Sequence, residues 1–242
     1  MIMNLHEWVT QFRNEFKYPG SRRDQAETHK RIERIIALIE QPVPKNWQRY
    51  TNISQTGGTL GPRRGDKDQP ECESAVEHRM FKRTSWRIKG GRNLKLLPLI
   101  NEQYLGNEKL GQVRVDAVGY LDYNTSKVIA AIEIKDKSNH CWHAVVENVI
   151  QILLIQHLPK ALTSSHSEWQ HFRDGDFTQT VGVILAPDEF YTMQGQRSVR
   201  VEDAKQLIQA VWDRCRLKIY LLSFLQDETH DEDTLDLIFE PS

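Results

Sequence analysis

Three charged residues interrupt two hydrophobic segments that are typical of β-strands. Asp116 lies in VRVDAVGYLDY, and Glu133 and Lys135 lie in KVIAAIEIK. Charged side chains are depleted from buried strands, because removing them from water costs free energy unless each finds a partner or a metal ion. The three residues therefore require an explanation, either as ion pairs within the fold or as groups with a chemical function.

A polar turn, NTS, separates the two segments and predicts a β-hairpin. Tyr123 can pair across this turn with Lys127 or with Val128, so two registers are open. With Tyr123 opposite Val128, Asp116 lies opposite Lys135 and all three charges share one face. A shift of one residue separates the aspartate from the other two charges.

Two carboxylates and an ammonium group at one point suit phosphoryl chemistry. Asp and Glu oxygens are hard ligands for Mg²⁺, which takes one or two protein carboxylates and keeps several of its waters. Such a cation polarises a phosphoryl oxygen and lowers the pKa of a bound water. Lys135 would orient that water or stabilise the charge that builds up on the phosphate. We therefore predict a phosphodiesterase site with Asp116 and Glu133 as metal ligands.

The pattern Asp116 followed by Glu133–Ile134–Lys135 resembles that of the PD-(D/E)xK phosphodiesterase superfamily, the restriction-endonuclease-like nucleases. The resemblance covers roughly residues 70–223. It implies an α/β fold with a restriction-endonuclease-like mixed β-sheet flanked by helices. It leaves the N-terminal 70 residues, interpreted below as a helical extension, unexplained. It also implies a nuclease that depends on Mg²⁺ or Mn²⁺ and takes nucleic acid as its partner, with DNA preferred over RNA.

The same resemblance implies two further site residues. Many members add a carboxylate from the first core helix, here predicted in ECESAVEHRMFKRT. Glu77 is the expected catalytic and metal-site residue because it shares a helical face with Met80, and Glu73 is the alternative. Some exonuclease members place a Gln and then a Tyr in the helix that follows the Lys. Gln151 matches the first and is expected to contact the site or the substrate, whereas Ile155 stands in the place of the second.

A basic stripe from Arg79 to Lys95 contains seven cations and no acid. Such a stripe is compatible with salt-sensitive contacts to a phosphate backbone, and a solvated helix face explains it equally well. The predicted substrate-binding cations are Arg83, Arg87, Lys89, Arg92 and Lys137. His140 and His143 are expected to begin the helix that follows Lys135, beside the substrate groove.

Composition sets the limits for these hypotheses. The 242-residue chain has 39% hydrophobic and 27% charged residues and a net charge of −1, which is ordinary for a soluble globular protein. Its three cysteines lack CxxC spacing, which argues against a zinc site and a disulfide framework. No Walker or Rossmann glycine pattern, secretion signal or apolar run of transmembrane length occurs. We expect a cytoplasmic protein without a membrane partner.

Residues 4–17 and 24–40 predict two amphipathic helices, followed by a Gly/Pro-rich linker. We therefore divide the chain into a helical extension with its linker, residues 1–69, and a nuclease-like domain, residues 70–242. The acidic segment from Asp227 to Glu240 is interpreted as a solvated C-terminal tail. The two helices are expected to pack on the core or to bind a partner, either a second copy of the chain or another protein.

Two other hypotheses stay open. A nuclease-fold module without turnover would bind nucleic acid or a protein partner in a larger complex. Alternatively, the three charges form a buried ion network that serves only stability. In that case the loss of Glu133 or Lys135 leaves an uncompensated charge and destabilises the fold.

Overall fold

Seven strands and five helices lie within the residues that the computed structural model describes. These residues are 3–16, 25–44, 80, 85–104, 113–123, 126–136, 140–157, 179–192, 196–224 and 234–242. The helices are α1 (Leu5–Asn14), α2 (Gln25–Ile39), α3 (Cys141–Gln156), α4 (Asp188–Thr192) and α5 (Gln196–Cys215). The strands are β1 (Ser85–Ile88), β2 (Arg92–Tyr104), β3 (Arg114–Tyr123), β4 (Ser126–Ile134), β5 (Val181–Pro187), β6 (Ile219–Phe224) and β7 (Thr234–Phe239).

The strands form one closed sheet in chain order. β1 to β4 are an antiparallel meander, and β4, β5 and β6 run parallel to one another. Parallel neighbours need a crossover connection, which contains α3 between β4 and β5, and α4 and α5 between β5 and β6. β7 is antiparallel to β6 and parallel to β1, and this last pairing closes the barrel.

The predicted open mixed sheet of the restriction-endonuclease kind is wrong, because the sheet closes on itself. β1 and β7, the two strands that join its ends, lie in the segments interpreted from sequence as the basic stripe and the acidic tail. Both strands carry charges beside inward-pointing apolar residues, and these charges obscured the period of two. Trp86, Ile88 and Leu235 are nonetheless buried and fill the interior of the closed sheet.

Two hydrophobic clusters lie on opposite faces of this sheet. The inner cluster includes Ala117, Leu121, Ile132, Val183, Tyr220 and Leu222. The outer cluster joins the other face of β3–β6 to the helices and includes Val118, Ala131, Val145, Ile152, Ile184 and Leu207. No described helix is both long and apolar enough to cross a membrane.

The N-terminal helices belong to the outer cluster. α1 begins with a capping box between Asn4 and Glu7, and it buries Trp8 and Phe12 against the rest of the protein. α2 buries Ile32, Ile35, Ile36 and Leu38 on its own apolar side. Trp142 of α3 donates a hydrogen bond of 2.8 Å to the carbonyl oxygen of Glu15. α1 therefore packs directly on α3, the helix that covers β4.

Candidate functional site

The hairpin of β3 and β4 adopts a register that differs from both predicted ones. Tyr123, the last residue of β3, pairs with Ser126, the first residue of β4. The shift from the Val128 register is two residues. An even shift preserves the face on which each side chain lies. The predicted convergence of the three charges survives for this reason.

Asp116 and Glu133 lie across from each other where the two strands part. The last pair of the ladder is Ala117 with Ile132, and the next position on each strand carries a carboxylate. Instead of continuing the ladder, the Asp116 side chain accepts a hydrogen bond of 2.8 Å from the amide of Ile134 at its Oδ2. The aspartate thus satisfies a backbone donor that the parting of the strands would leave unpaired.

Glu133 is held on both carboxylate oxygens. The Gln151 side-chain amide of α3 donates to Oε2, and the Lys135 ammonium pairs with Oε1. All of these side chains are buried: Asp116, Glu133, Lys135 and Gln151 are 5%, 2%, 7% and 0% exposed. Residues from β3, β4 and α3 therefore meet in a site covered by the helix, on the outer face of the closed sheet.

A second acidic residue on α3 borders the site on its solvent side. Oε2 of Glu147 lies 3.5 Å from the Lys135 ammonium, and the Glu147 side chain is 28% exposed. His143, one turn earlier, places its Nε2 at 3.8 Å from the same oxygen. The His143 ring contacts the Phe16 ring just beyond α1, with their centroids 4.3 Å apart. His143 and Glu147 form the more exposed rim of the site.

Burial and charge together raise the pKa of Glu133 well above its ordinary value. Desolvation is the largest cause, and the negative charge of Asp116 raises the pKa further. The Lys135 ammonium lowers it and the Glu147 carboxylate raises it again. The ionised site therefore contains repelling carboxylates, and added positive charge would stabilise it.

Sequence reasoning missed two residues that complete this site, Glu147 and Asn148. Asn148 donates a hydrogen bond of 2.9 Å to Gln151. Both missed residues precede Gln151 by about one helical turn, within a helix that is otherwise almost entirely apolar. Polar residues at this spacing on an apolar helix were the available signal.

Of the predicted substrate-binding cations, the three that the structure describes, Arg87, Lys89 and Arg92, do not lie with the carboxylates. Lys89 pairs with Asp236 at 2.5 Å and Arg92 pairs with Glu240 at 2.6 Å, while Arg87 is exposed on β1. The start of β2 pairs with the end of β3 that is remote from Asp116, about 20 Å away at ~3.3 Å per residue. The remaining predicted site residues, Glu73, Glu77, Arg83 and Lys137, lie outside the described residues.

The donor set suits a hard divalent cation in its chemistry. Asp116 and Glu133 offer carboxylate oxygens from adjacent strands, the type and number of protein ligands that Mg²⁺ takes. Among the residues that the structure describes, no three His, Cys, Asp or Glu side chains converge as a metal-binding group. A cation at this place would therefore rest on two protein carboxylates from the described part of the chain and would fill its remaining positions with water or substrate.

Comparisons of the chain with protein-family models, with curated proteins and with solved structures found no match. The chemistry of the site is consequently the basis on which a function is proposed.

Proposed function

We propose that the protein hydrolyses phosphodiester bonds in nucleic acid, with DNA as the preferred substrate and Mg²⁺ or Mn²⁺ as the cofactor. One observation carries the proposal: Asp116, Glu133 and Lys135 come from two strands and meet on one face, beside Gln151. The proposal rests on this site alone, since the closed sheet departs from the fold that the sequence pattern implies.

Each side chain has a separate task in the proposed reaction. Asp116 and Glu133 would hold the cation, whose chemical contribution is to polarise the phosphate and to acidify a bound water. Gln151 holds the Glu133 carboxylate in place by donating to one of its oxygens. Lys135 would turn its ammonium group toward the phosphate and stabilise the negative charge that develops there.

Glu147 gives Lys135 a second carboxylate partner. The ammonium group contacts Glu133 and lies 3.5 Å from Glu147, so Glu147 would remain its partner if Glu133 held a cation. The partly exposed side chains of Glu147 and His143 border the site, and we assign the approach of substrate to this rim. Asp116, Glu133 and Lys135 are themselves buried. Their electrostatic effect is stronger there than it would be in bulk water.

The test is cleavage of linear and closed-circular DNA, single- and double-stranded, and of RNA, with Mg²⁺ or Mn²⁺. Wild type is compared with Glu133→Gln and Lys135→Met, and with Glu202→Gln as a control. Glu202 is an exposed carboxylate of α5 whose ion-pair partner is Lys205, not a residue of the site. We expect the two site variants to lose about 10²-fold or more in rate while the control keeps its activity. Cleavage of circles would identify an endonuclease.

A competing function is favoured by one specific observation. Both oxygens of Glu133 are already paired with buried protein donors, as a purely structural ion network requires. A binding module of this kind would neither cleave nor bind divalent cations, and its site variants would unfold far more easily than wild type. Absence of wild-type cleavage on all substrates, together with no Mn²⁺ binding in a titration, would therefore refute the enzyme.

A further inference from the structure

Asn148 lies in the interior of α3, between Gln151 and the sheet, and is 0% exposed. Its neighbours on the helix are mostly Val, Ile and Leu. Asparagine is disfavoured inside helices because its side chain competes for backbone hydrogen bonds, and a buried amide must find partners. The partners of this amide show what it does.

The Asn148 amide has a single consistent orientation. Its Nδ2 donates to the carbonyl oxygen of Ala131 at 3.0 Å and to Oε1 of Gln151 at 2.9 Å. A backbone carbonyl only accepts hydrogen bonds, so the amino group and not the oxygen must face β4. Gln151 Oε1 is thereby committed as an acceptor. Its Nε2 is left to donate to Glu133, which it does.

Gly182 of β5 provides the space in which Asn148 lies. Gly182 pairs with Ala131 of β4, so the amide sits over two adjacent strands at a pair of small residues. A Cβ at position 182 would overlap Oδ1 of Asn148 and would lie 2.8 Å from Cδ1 of Ile152. Oδ1 itself is buried and has no hydrogen-bond partner among the described residues. Asn148 Oδ1 therefore lacks a hydrogen bond from the described residues in the orientation that directs the amino group at Gln151.

We infer that Asn148 and Gly182 are positioning residues that fix the Gln151 amide so that it donates to the catalytic Glu133. The inference deepens the proposed function and rests on it. Glu133 and Asn148 both restrain the Gln151 amide, the first by accepting from Nε2 and the second by donating to Oε1. Loss of Asn148 removes the restraint on Oε1, so the Gln151 amide and the Glu133 carboxylate that it contacts become less firmly oriented.

The experiment compares Asn148→Ala, Gly182→Ala and their double variant in the full-length protein. It measures kcat and KM for cleavage, Mn²⁺ affinity by electron paramagnetic resonance, and the side-chain amide signals of Gln151 in metal-free protein. Gln156→Ala is the control, because Gln156 is another amide of α3 and donates to the Thr180 carbonyl oxygen at 3.5 Å, away from Glu133.

We expect Asn148→Ala and Gly182→Ala each to lower kcat or Mn²⁺ affinity about 10- to 100-fold, the usual effect of losing a residue behind a metal ligand. The two Gln151 amide protons should also lose their chemical-shift separation and their protection from exchange. The double variant should lose little more kcat or Mn²⁺ affinity than Asn148→Ala, because the closest contact of a Cβ at position 182 is with Asn148 Oδ1. Gln156→Ala should change none of these quantities.

Unchanged Gln151 amide signals in folded Asn148→Ala would overturn the inference, as would additive effects in the double variant. If Gly182→Ala does not fold, the test of the inference rests on Asn148→Ala, which removes atoms and creates no overlap with neighbouring side chains. The proposed function fails separately, by absence of wild-type cleavage and Mn²⁺ binding. Altered Gln151 signals in that case would uphold the orientation of Gln151 by Asn148 and refute only its catalytic purpose.

Discussion

Glu133 accepts from the Gln151 amide on one carboxylate oxygen and from the Lys135 ammonium on the other. Both contacts favour the ionised form, whereas burial and the neighbouring Asp116 charge oppose it. The opposing causes dominate, and the pKa of Glu133 is raised well above 4.5, its ordinary value. A carboxylate that is difficult to ionise in the folded state makes stability depend on pH.

The first prediction concerns this dependence in the absence of divalent cations. Because the folded state holds the Glu133 proton more tightly than the unfolded state, the free energy of unfolding should fall as the pH rises from about 4.5 through the raised pKa. Glu133→Gln should remove this fall, so the stability of the variant relative to wild type should increase with pH. Urea denaturation at a series of pH values measures the difference. If the free energy of unfolding of the variant is lower than that of wild type by about 3–5 kcal/mol at pH 8, Glu133 belongs to a structural ion pair.

A second prediction at the residue scale concerns Glu147. Glu147→Gln leaves Lys135 with Glu133 as its carboxylate partner in this site, so a cation must compete with a tighter ion pair. Mn²⁺ affinity should therefore fall, while stability changes by less than about 1 kcal/mol because Glu147 is partly exposed. Calorimetric titration with Mn²⁺ and urea denaturation measure the two effects. Equal Mn²⁺ affinity in wild type and variant would contradict the role of Glu147 as a second carboxylate partner of Lys135.

At the scale of elements, the site exists because β3 and β4 separate one residue before their carboxylates. The ladder ends at Ala117 and Ile132, and the Asp116 side chain then replaces a strand partner for the Ile134 amide. α3 crosses above this point and supplies Gln151, Glu147 and Asn148 from successive turns. α1 in turn packs on the first turn of α3, so the N-terminal helices help to position the rim.

Asp116 is both a proposed metal ligand and the acceptor for the Ile134 amide. A third prediction follows, in which two substitutions of Asp116 should behave differently. Asp116→Asn keeps an oxygen that can accept from Ile134 and removes only the charge, so stability should hold while Mn²⁺ binding weakens. Asp116→Ala also leaves the buried amide unsatisfied, which should cost about 1–3 kcal/mol. Urea denaturation and hydrogen exchange of the Ile134 amide check this. Equal stability of the two variants would show that the capping contact contributes nothing.

At the scale of the whole molecule, closure removes the exposed edges that β1 and β6 would otherwise present. β7 fills the gap by pairing with both strands, and Leu235 enters the interior cluster. Lys89 and Arg92 pair with acidic residues on and just after β7, Asp236 and Glu240. Part of the basic stripe and part of the acidic segment therefore serve the closure of the sheet.

The fourth prediction tests this closure with two leucines of β7. Leu235 is fully buried, whereas Leu237 is 37% exposed. Leu235→Ala should lower the free energy of unfolding by about 2–5 kcal/mol, because it empties a packed interior. Leu237→Ala should have a clearly smaller effect. Urea denaturation of both variants makes the comparison, and equal effects would mean that β7 does not seal the interior as described.

Much of the secondary structure and the charged part of the site followed from local patterns. Apolar periodicity predicts α1 and α2, a helix is expected after Lys135 where α3 lies, and the two β-prone segments predict β3 and β4. The shared face of Asp116, Glu133 and Lys135 followed because side chains of a strand alternate, so an error of two in register does no harm. The short β1 and the acidic β7 were not predicted as strands. Their segments of 4 and 6 residues show only a weak apolar alternation, which the charges obscure.

The spacing of apolar residues in helices and strands, and the charges that interrupt it, can be read from neighbouring positions in the chain. The closure of the sheet, and the placement of Glu147, Asn148 and Gln151 of α3 over Glu133, became visible in the folded protein alone. The tertiary structure also placed the cations of β1 and β2 at the far end of the strands. The physical reason is that strand closure and helix docking depend on pairings between residues distant in the chain, such as Ile88 with Leu235.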